Sequence, residues 1–452
     1  MRTPYDIPKE HTLGGFCMER ASVFPQYTAA DRIMAVFYFL VGYGFLYVFT
    51  GATHSWALSV FTVFYAAVVL AYLRVRKLTP PAESWFWLAA MLAIGIPFGF
   101  WCIFPVYQIL ALMAVAAYWS LSATGRLLRQ GKTSEWFAFD CWNALFWVPF
   151  TNCICQIRVL LGNEQQEQAD NEKNGTVGKS GLAILLGLGL AVPVLLIVLP
   201  LLSQADAGFE LLVGDLVRYM QEHLLSVFLR LLFSVPVSLY LYGLIFGGIT
   251  GRNTDMVKVE QLQETRKAAR RVPDMAITTV LVILCLVYLL FIGLQGNYLF
   301  AAFQGSLPEE FTYAEYARRG FFELCQIGAW NLILLGLCHL FSRNGSQENK
   351  LLRILTIVLS VQTLLLLFTA VSKLAMYIDV YGLTVNRVLP MTFLIWLVLV
   401  FVLLILRQKK AFPMARICIL AGTVLFCLLC VFPVERLIEA YNVWARMQGY
   451  II

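Results

Sequence analysis

Charge is scarce in this sequence. Asp, Glu, Lys and Arg make up 13% of its 452 residues, where soluble domains average about 25%. That shortage excludes a soluble globular protein. The 60% hydrophobic content excludes a disordered chain, since disorder needs low hydrophobicity. Histidine is scarcer still: His11, His54, His223 and His339 stand far apart, without the spacing a zinc site needs. No HExxH, GxSxG or phosphate-binding glycine loop occurs, so no catalytic residue, metal or cofactor is expected. Gly187 and Gly189 fall inside a leucine run with no strand before them. The eleven cysteines show no metal or redox spacing. Cys427 and Cys430 form CxxC, but within an apolar run, and read as buried thiols.

Long apolar runs are abundant, and mean hydropathy is +0.73. About 20 apolar residues at 1.5 Å rise cross ~30 Å of hydrocarbon. Eleven segments qualify: Ile33–Thr50, Trp56–Leu73, Trp85–Phe104, Val106–Ala123, Gly181–Leu202, Leu224–Ile249, Met275–Leu299, Phe322–Phe341, Leu351–Met376, Val388–Leu406 and Ala415–Phe432. The runs are continuous rather than alternating, so they predict helices and not a barrel. The fold expected is an all-α, polytopic transmembrane bundle. Of the 34 basic residues, all but Arg218, Arg230, Arg318, Arg319, Lys373, Arg387, Arg436 and Arg446 fall on one side of this map. The positive-inside rule then predicts a cytoplasmic N-terminus and an outer C-terminus. The net charge of +7 is thus a topology signature, and no nucleic-acid partner is expected. The polar opening of the chain predicts no cleavable leader.

Two stretches are neither spans nor plain loops. Thr133–Gly162 is apolar, yet it holds Glu135, Asp140, Asn143, Asn152, Gln156 and Arg158, and Pro149 breaks it. Basic residues flank it on both sides, which predicts an inner-face interfacial or re-entrant helix pair with Trp136, Trp142 and Trp147 in the headgroup layer. Asp140 and Asn143 share one face there. They read as a wet surface, or as a polar site for a proton or cation. Gln204–His223 reads as an amphipathic helix on the outer side. The polar stretch Asn163–Lys179 is the best boundary. The chain then divides into a cytoplasmic segment (1–32), a four-span part with the interfacial helices (33–162), a linker (163–180) and a seven-span part (181–452). Gly95/Gly99, Gly243/Gly247 and Gly247/Gly251 are spaced for close helix contact. Pro97, Pro193, Pro200 and Pro236 predict kinks.

The most distinctive text is YAEYARRGFFEL (Tyr313–Leu324), after QGNYLF (Gln295–Phe300) and before YIDVYGLTVNRVLP (Tyr377–Pro390) and VFPVERLIEAYNV (Val431–Val443). From about Pro273 onward these motifs resemble a bacterial family of polytopic membrane proteins, domain of unknown function 4173, with its relative 4153. The resemblance implies a multi-pass protein of the bacterial cytoplasmic membrane. It carries no established activity, substrate or catalytic residue.

Physically, Glu315, Arg319 and Glu323 lie at i, i+4 and i+8 on one helix, with Arg318 three residues from Glu315. Arginines entering a bilayer cost about 2.5–3.5 kcal/mol each at mid-depth unless paired. One reading is a salt-bridge network that fixes helix depth. The other is a ligand site of Glu315, Arg318, Arg319, Glu323, Lys373, Asp379 and Arg387 for an anionic ligand or lipid headgroup, which planar guanidiniums bind bidentately. Function then divides between transport or flipping of an anionic or lipid-linked envelope compound and a non-enzymatic scaffold or signalling partner working through the basic loop Arg252–Arg271. An intramembrane lipid enzyme is favoured least, because no nucleophile–base pair is present. The bilayer is the expected partner, and no oligomeric state is legible.

Overall fold

The computed structural model describes residues 26–50, 56–129, 131–162, 198, 201, 225–294, 313–342 and 349–449, with backbone alone at 225 and 313–320. Among these residues the chain is helical and holds no strand, only a bridge between Val272 and Ser342. Its helices are α1 (Ala29–Thr50), α2 (Trp56–Val75), α3 (Ala82–Gly95), α4 (Pro105–Ala123), α5 (Phe137–Trp142), α6 (Val148–Asn152), α7 (Cys155–Leu161), α8 (Leu225–Thr250), α9 (Val259–Ala269), α10 (Asp274–Leu294), α11 (Tyr313–Phe341), α12 (Lys350–Tyr381), α13 (Val385–Arg407), α14 (Met414–Val431) and α15 (Val434–Met447). Eleven helical segments among the described residues are long and apolar enough to cross a membrane. They are not quite the eleven expected. Phe137–Leu161 takes the place of Gly181–Leu202, which lies outside the described residues apart from positions 198 and 201. The expected linker Asn163–Lys179 and amphipathic helix Gln204–His223 also lie outside them.

Chain direction follows from contacts between helix ends. Arg76, after α2, pairs with Asp31 in the first turn of α1 at 3.1 Å, so the two helices are antiparallel. Thr133, after α4, donates its backbone N–H to Glu83 at the start of α3. Arg126 reaches the Gly248 carbonyl near the end of α8, while Arg230 near its start lies over the Tyr47 ring. Farther along, Ser342 bonds Asp274, Arg407 meets His339, and Arg416 pairs with Glu83 at 2.7 Å. One end of the bundle therefore gathers Arg76, Arg126, Arg266, Arg407 and Arg416. We call it the basic end. Arg230, Arg387 and Arg436 lie at the opposite end.

Two apolar cores hold the bundle together. The first joins α1–α7 with α8, through Tyr38, Tyr72, Trp87, Trp119 and Phe246. The second joins α10–α14 through Leu359, Leu367, Leu397 and Phe401. Helix α14 links them by lying along α3: Trp101 donates to the Cys430 carbonyl and Arg416 grips Glu83. Glycine sets the closest approaches. A Cβ on Gly42 would stand 2.6 Å from the Ser234 carbonyl oxygen of α8, and one on Gly243 2.8 Å from that of Pro149.

The run Phe137–Leu161 does not stand upright in this frame. Asp140 accepts from Leu128 N and Asn143 from Met256 N, while Asn152 donates to the Arg252 carbonyl. All three partners lie at the basic end. On a straight upright helix Asp140 and Asn152 would differ in depth by about 18 Å. A π-turn at Asn143–Trp147 and Pro149 bend the run instead. It is a bent element, folded against the last turns of α8. At the other end of the bundle α15 is an amphipathic helix, with Val434, Ile438 and Ala445 inward. Asn442 fastens it by bonding both N and O of Leu383 in the α12–α13 turn.

Candidate functional site

The expected ligand residues separate into two groups. Asp379 and Arg387 flank the turn between α12 and α13 that Asn442 of α15 fastens. Arg387 lies 4.0 Å from the centre of the Tyr377 ring and donates to the Gly382 carbonyl. Asp379 accepts from the Tyr441 hydroxyl at 3.5 Å. Burial, reinforced by the Asp379 charge, raises Tyr441 above the usual phenol range, so it remains a donor. Lys373 lies deeper on α12, about 9 Å along the axis from Asp379. It is fully buried, and the charge of exposed Glu323 on α11 acts on it. Glu315, Arg318 and Arg319 lie on α11, but their side chains are outside the described residues.

The inner pair needs correcting. Asp140 and Asn143 do not form a wet face: both are buried, 0% and 2% exposed. They fasten the loops after α4 and α8 onto the bent element, because backbone N–H groups of Leu128 and Met256 are satisfied there. A buried donor left unsatisfied costs about 1–3 kcal/mol, which explains polar residues at these positions.

A groove that the sequence reading missed runs along α11. Toward the opposite end, a cavity of about 550 Å³ lies between α11, α13 and α14, walled by Phe322, Cys325, Leu389, Phe393 and Leu425. Toward the basic end, a cavity of about 310 Å³ is walled by Leu332, Leu335, Val400 and Leu404 and bounded by His339, Arg407 and Gln408. Trp396 lines both cavities. Its indole N–H donates to the Cys418 carbonyl at 3.0 Å. Gly422 makes room for it, since a Cβ there would stand 2.9 Å from Nε1. Residues of α11 three and four apart face the groove, and the small ones, Cys325, Ala329 and Gly336, leave it open. Two apolar cavities, one of them bounded by His339, Arg407 and Gln408, suit an amphiphile better than a polar solute.

The signal for this groove was faint. Its leucines look like any lipid-facing leucine, and only mid-span Trp396 and intramembrane His339 stand out from the run.

Comparison with known proteins adds no activity. No curated protein matches the chain, and no solved structure does. The family model that matches is described as Domain of unknown function (DUF4153) and covers residues 86–450. It starts within α3, well before the Pro273 limit of the resemblance, and the 4173 relative is not the family found. With its bundle of long apolar helices the chain is a multi-pass membrane protein, and it belongs to the DUF4153 family.

Proposed function

We propose that this protein moves an anionic or lipid-linked envelope compound between the leaflets of the bacterial cytoplasmic membrane. The observation that carries the reading is the pair of cavities along one face of α11, both lined by Trp396. The positive-inside rule places the basic end in the cytoplasm. The substrate's apolar portion lies in the groove. Its charged head passes from the arginines of the basic end toward Arg387 and Lys373, on which the charge of Glu323 acts. Trp396 is the constriction. A second reading, a scaffold, draws support from α9, on which Glu260, Glu264 and Lys267 are exposed and Leu262 is buried.

The test is a vesicle assay. The full chain is reconstituted with phosphatidylglycerol labelled on its headgroup, and dithionite is added outside. Label in the inner leaflet should be bleached only when the protein is present. Trp396→Ala should speed that bleaching about tenfold, equivalent to ~1.4 kcal/mol off the barrier. Bleaching no faster than in protein-free vesicles would refute transport of this lipid class, and a Trp396→Ala rate equal to wild type would refute the constriction.

A further inference from the structure

Where α11–α14 converge, the inner cavity ends on a cationic rim. His339 and Arg407 line it, with Nε2 and Nη2 3.4 Å apart. Arginine has no acceptor, so the imidazole accepts on Nε2 and carries its proton on Nδ1. The charges of Arg266 and Arg270, brought by α9 and the turn after it, also act on that ring. Glu135 is the carboxylate facing this group among the described residues, and it is already shared. Arg129 lies 3.3 Å from one of its oxygens and Arg266 3.6 Å from the other. The Nε atoms of Arg266 and Arg270 are buried with no acceptor among the described residues. Gln408, 8% exposed, lines the same cavity with its Oε1 unpartnered among the described residues. Deeper in, the walls are leucine and valine.

We propose that this compartment is a binding site for one anionic glycerophospholipid with a hydroxylated headgroup. The phosphate sits on Arg270 and Arg407. A headgroup hydroxyl donates to Gln408 Oε1. One acyl chain lies against Leu335 and Val400. Charge complementarity selects the anion, because Arg266 and Arg270 keep buried Nε donors with no acceptor among the described residues, which a phosphate satisfies. The apolar depth selects a lipid over free phosphate. The site shares the groove of the proposed transport path, but it requires binding only and no movement between leaflets.

The test uses the full chain in non-ionic detergent, with bound lipid counted by native mass spectrometry. Dioleoylphosphatidylglycerol, dioleoylphosphatidylcholine and inorganic phosphate are titrated separately and in competition. One phosphatidylglycerol should bind about tenfold more tightly than phosphatidylcholine, and phosphate should not displace it. Arg270→Gln with Arg407→Gln should bring the two lipids to equal affinity. Gly336→Phe supplies a check independent of charge. Gly336 lines the cavity and a Cβ there meets nothing within 4 Å, so the bulkier side chain should weaken both lipids while the protein elutes and melts as wild type. Equal affinity for the two lipids in wild type, displacement by phosphate, or undiminished binding in Gly336→Phe would each overturn the proposal. Binding without transbilayer movement would refute the transport reading and leave this site standing. Movement without binding would do the reverse.

Discussion

Asp31→Ala should unfold the first core more readily than any other single truncation at the basic end. Asp31 is fully buried and takes four hydrogen bonds. Thr28 donates from its backbone N–H at 2.6 Å and its hydroxyl at 2.9 Å. The Tyr72 hydroxyl donates at 2.6 Å and the Arg76 guanidinium at 3.1 Å. One carboxylate thus caps α1 and ties it to the end of α2, while Tyr242 of α8 bonds the Asp31 carbonyl. Truncation strands a guanidinium and a tyrosine hydroxyl beside the core. Removing one partner of a buried ion pair costs about 3–5 kcal/mol. The check is reversible unfolding of the purified chain in mixed micelles. Asp31→Asn keeps an acceptor for Thr28 and should lose less. A loss below ~1 kcal/mol for Asp31→Ala would mean that the ion pair is incidental to the core.

Glycine should give the second large effect, with a sign that depends on place. Gly42→Ala puts a methyl group 2.6 Å from the backbone oxygen of Ser234 and 3.0 Å from Ser238 N. Backbone cannot swing aside as a side chain can, so α1 and α8 must separate. Overpacking costs about 1–3 kcal/mol, and the tyrosine contact between Tyr38 and Tyr242, ring centres 5.6 Å apart, loosens as well. Gly336→Ala makes the same chemical change where a Cβ meets nothing within 4 Å. It should stabilise by about 0.5–1 kcal/mol through helix propensity alone. Melting temperatures of the two variants should move in opposite directions. Movement in the same direction would show that propensity, not close approach, governs these helices.

The pair also shows how far the sequence could be read. Gly95 and Gly99, Gly243 and Gly247 carry a spacing that signals close helices, and these glycines do meet Thr62, Ser59, Pro149 and Asn152. Spacing alone does not name the partner, and Gly42 has no such signature at all. The spans were legible because lipid demands continuous apolar runs. The bent element was legible because Pro149 and its polar residues contradict an upright crossing. What escaped was tertiary. Asp31 and Arg76 are 45 positions apart in sequence, and neither carries a mark of the other. Asp140 was singled out, but its burial depends on a loop folding over it. The groove escaped for a chemical reason: a leucine facing lipid and a leucine lining a lipid-sized cavity are the same residue in the same pattern.

The account depends on lipid entering between α11 and α14. Single-particle imaging of the full chain in nanodiscs of phosphatidylglycerol tests that entry directly. The account predicts acyl-chain density on both sides of Trp396, with a phosphate peak beside Arg407. Side chains of α11 packed straight onto α14, with no lipid density in either cavity, would contradict it.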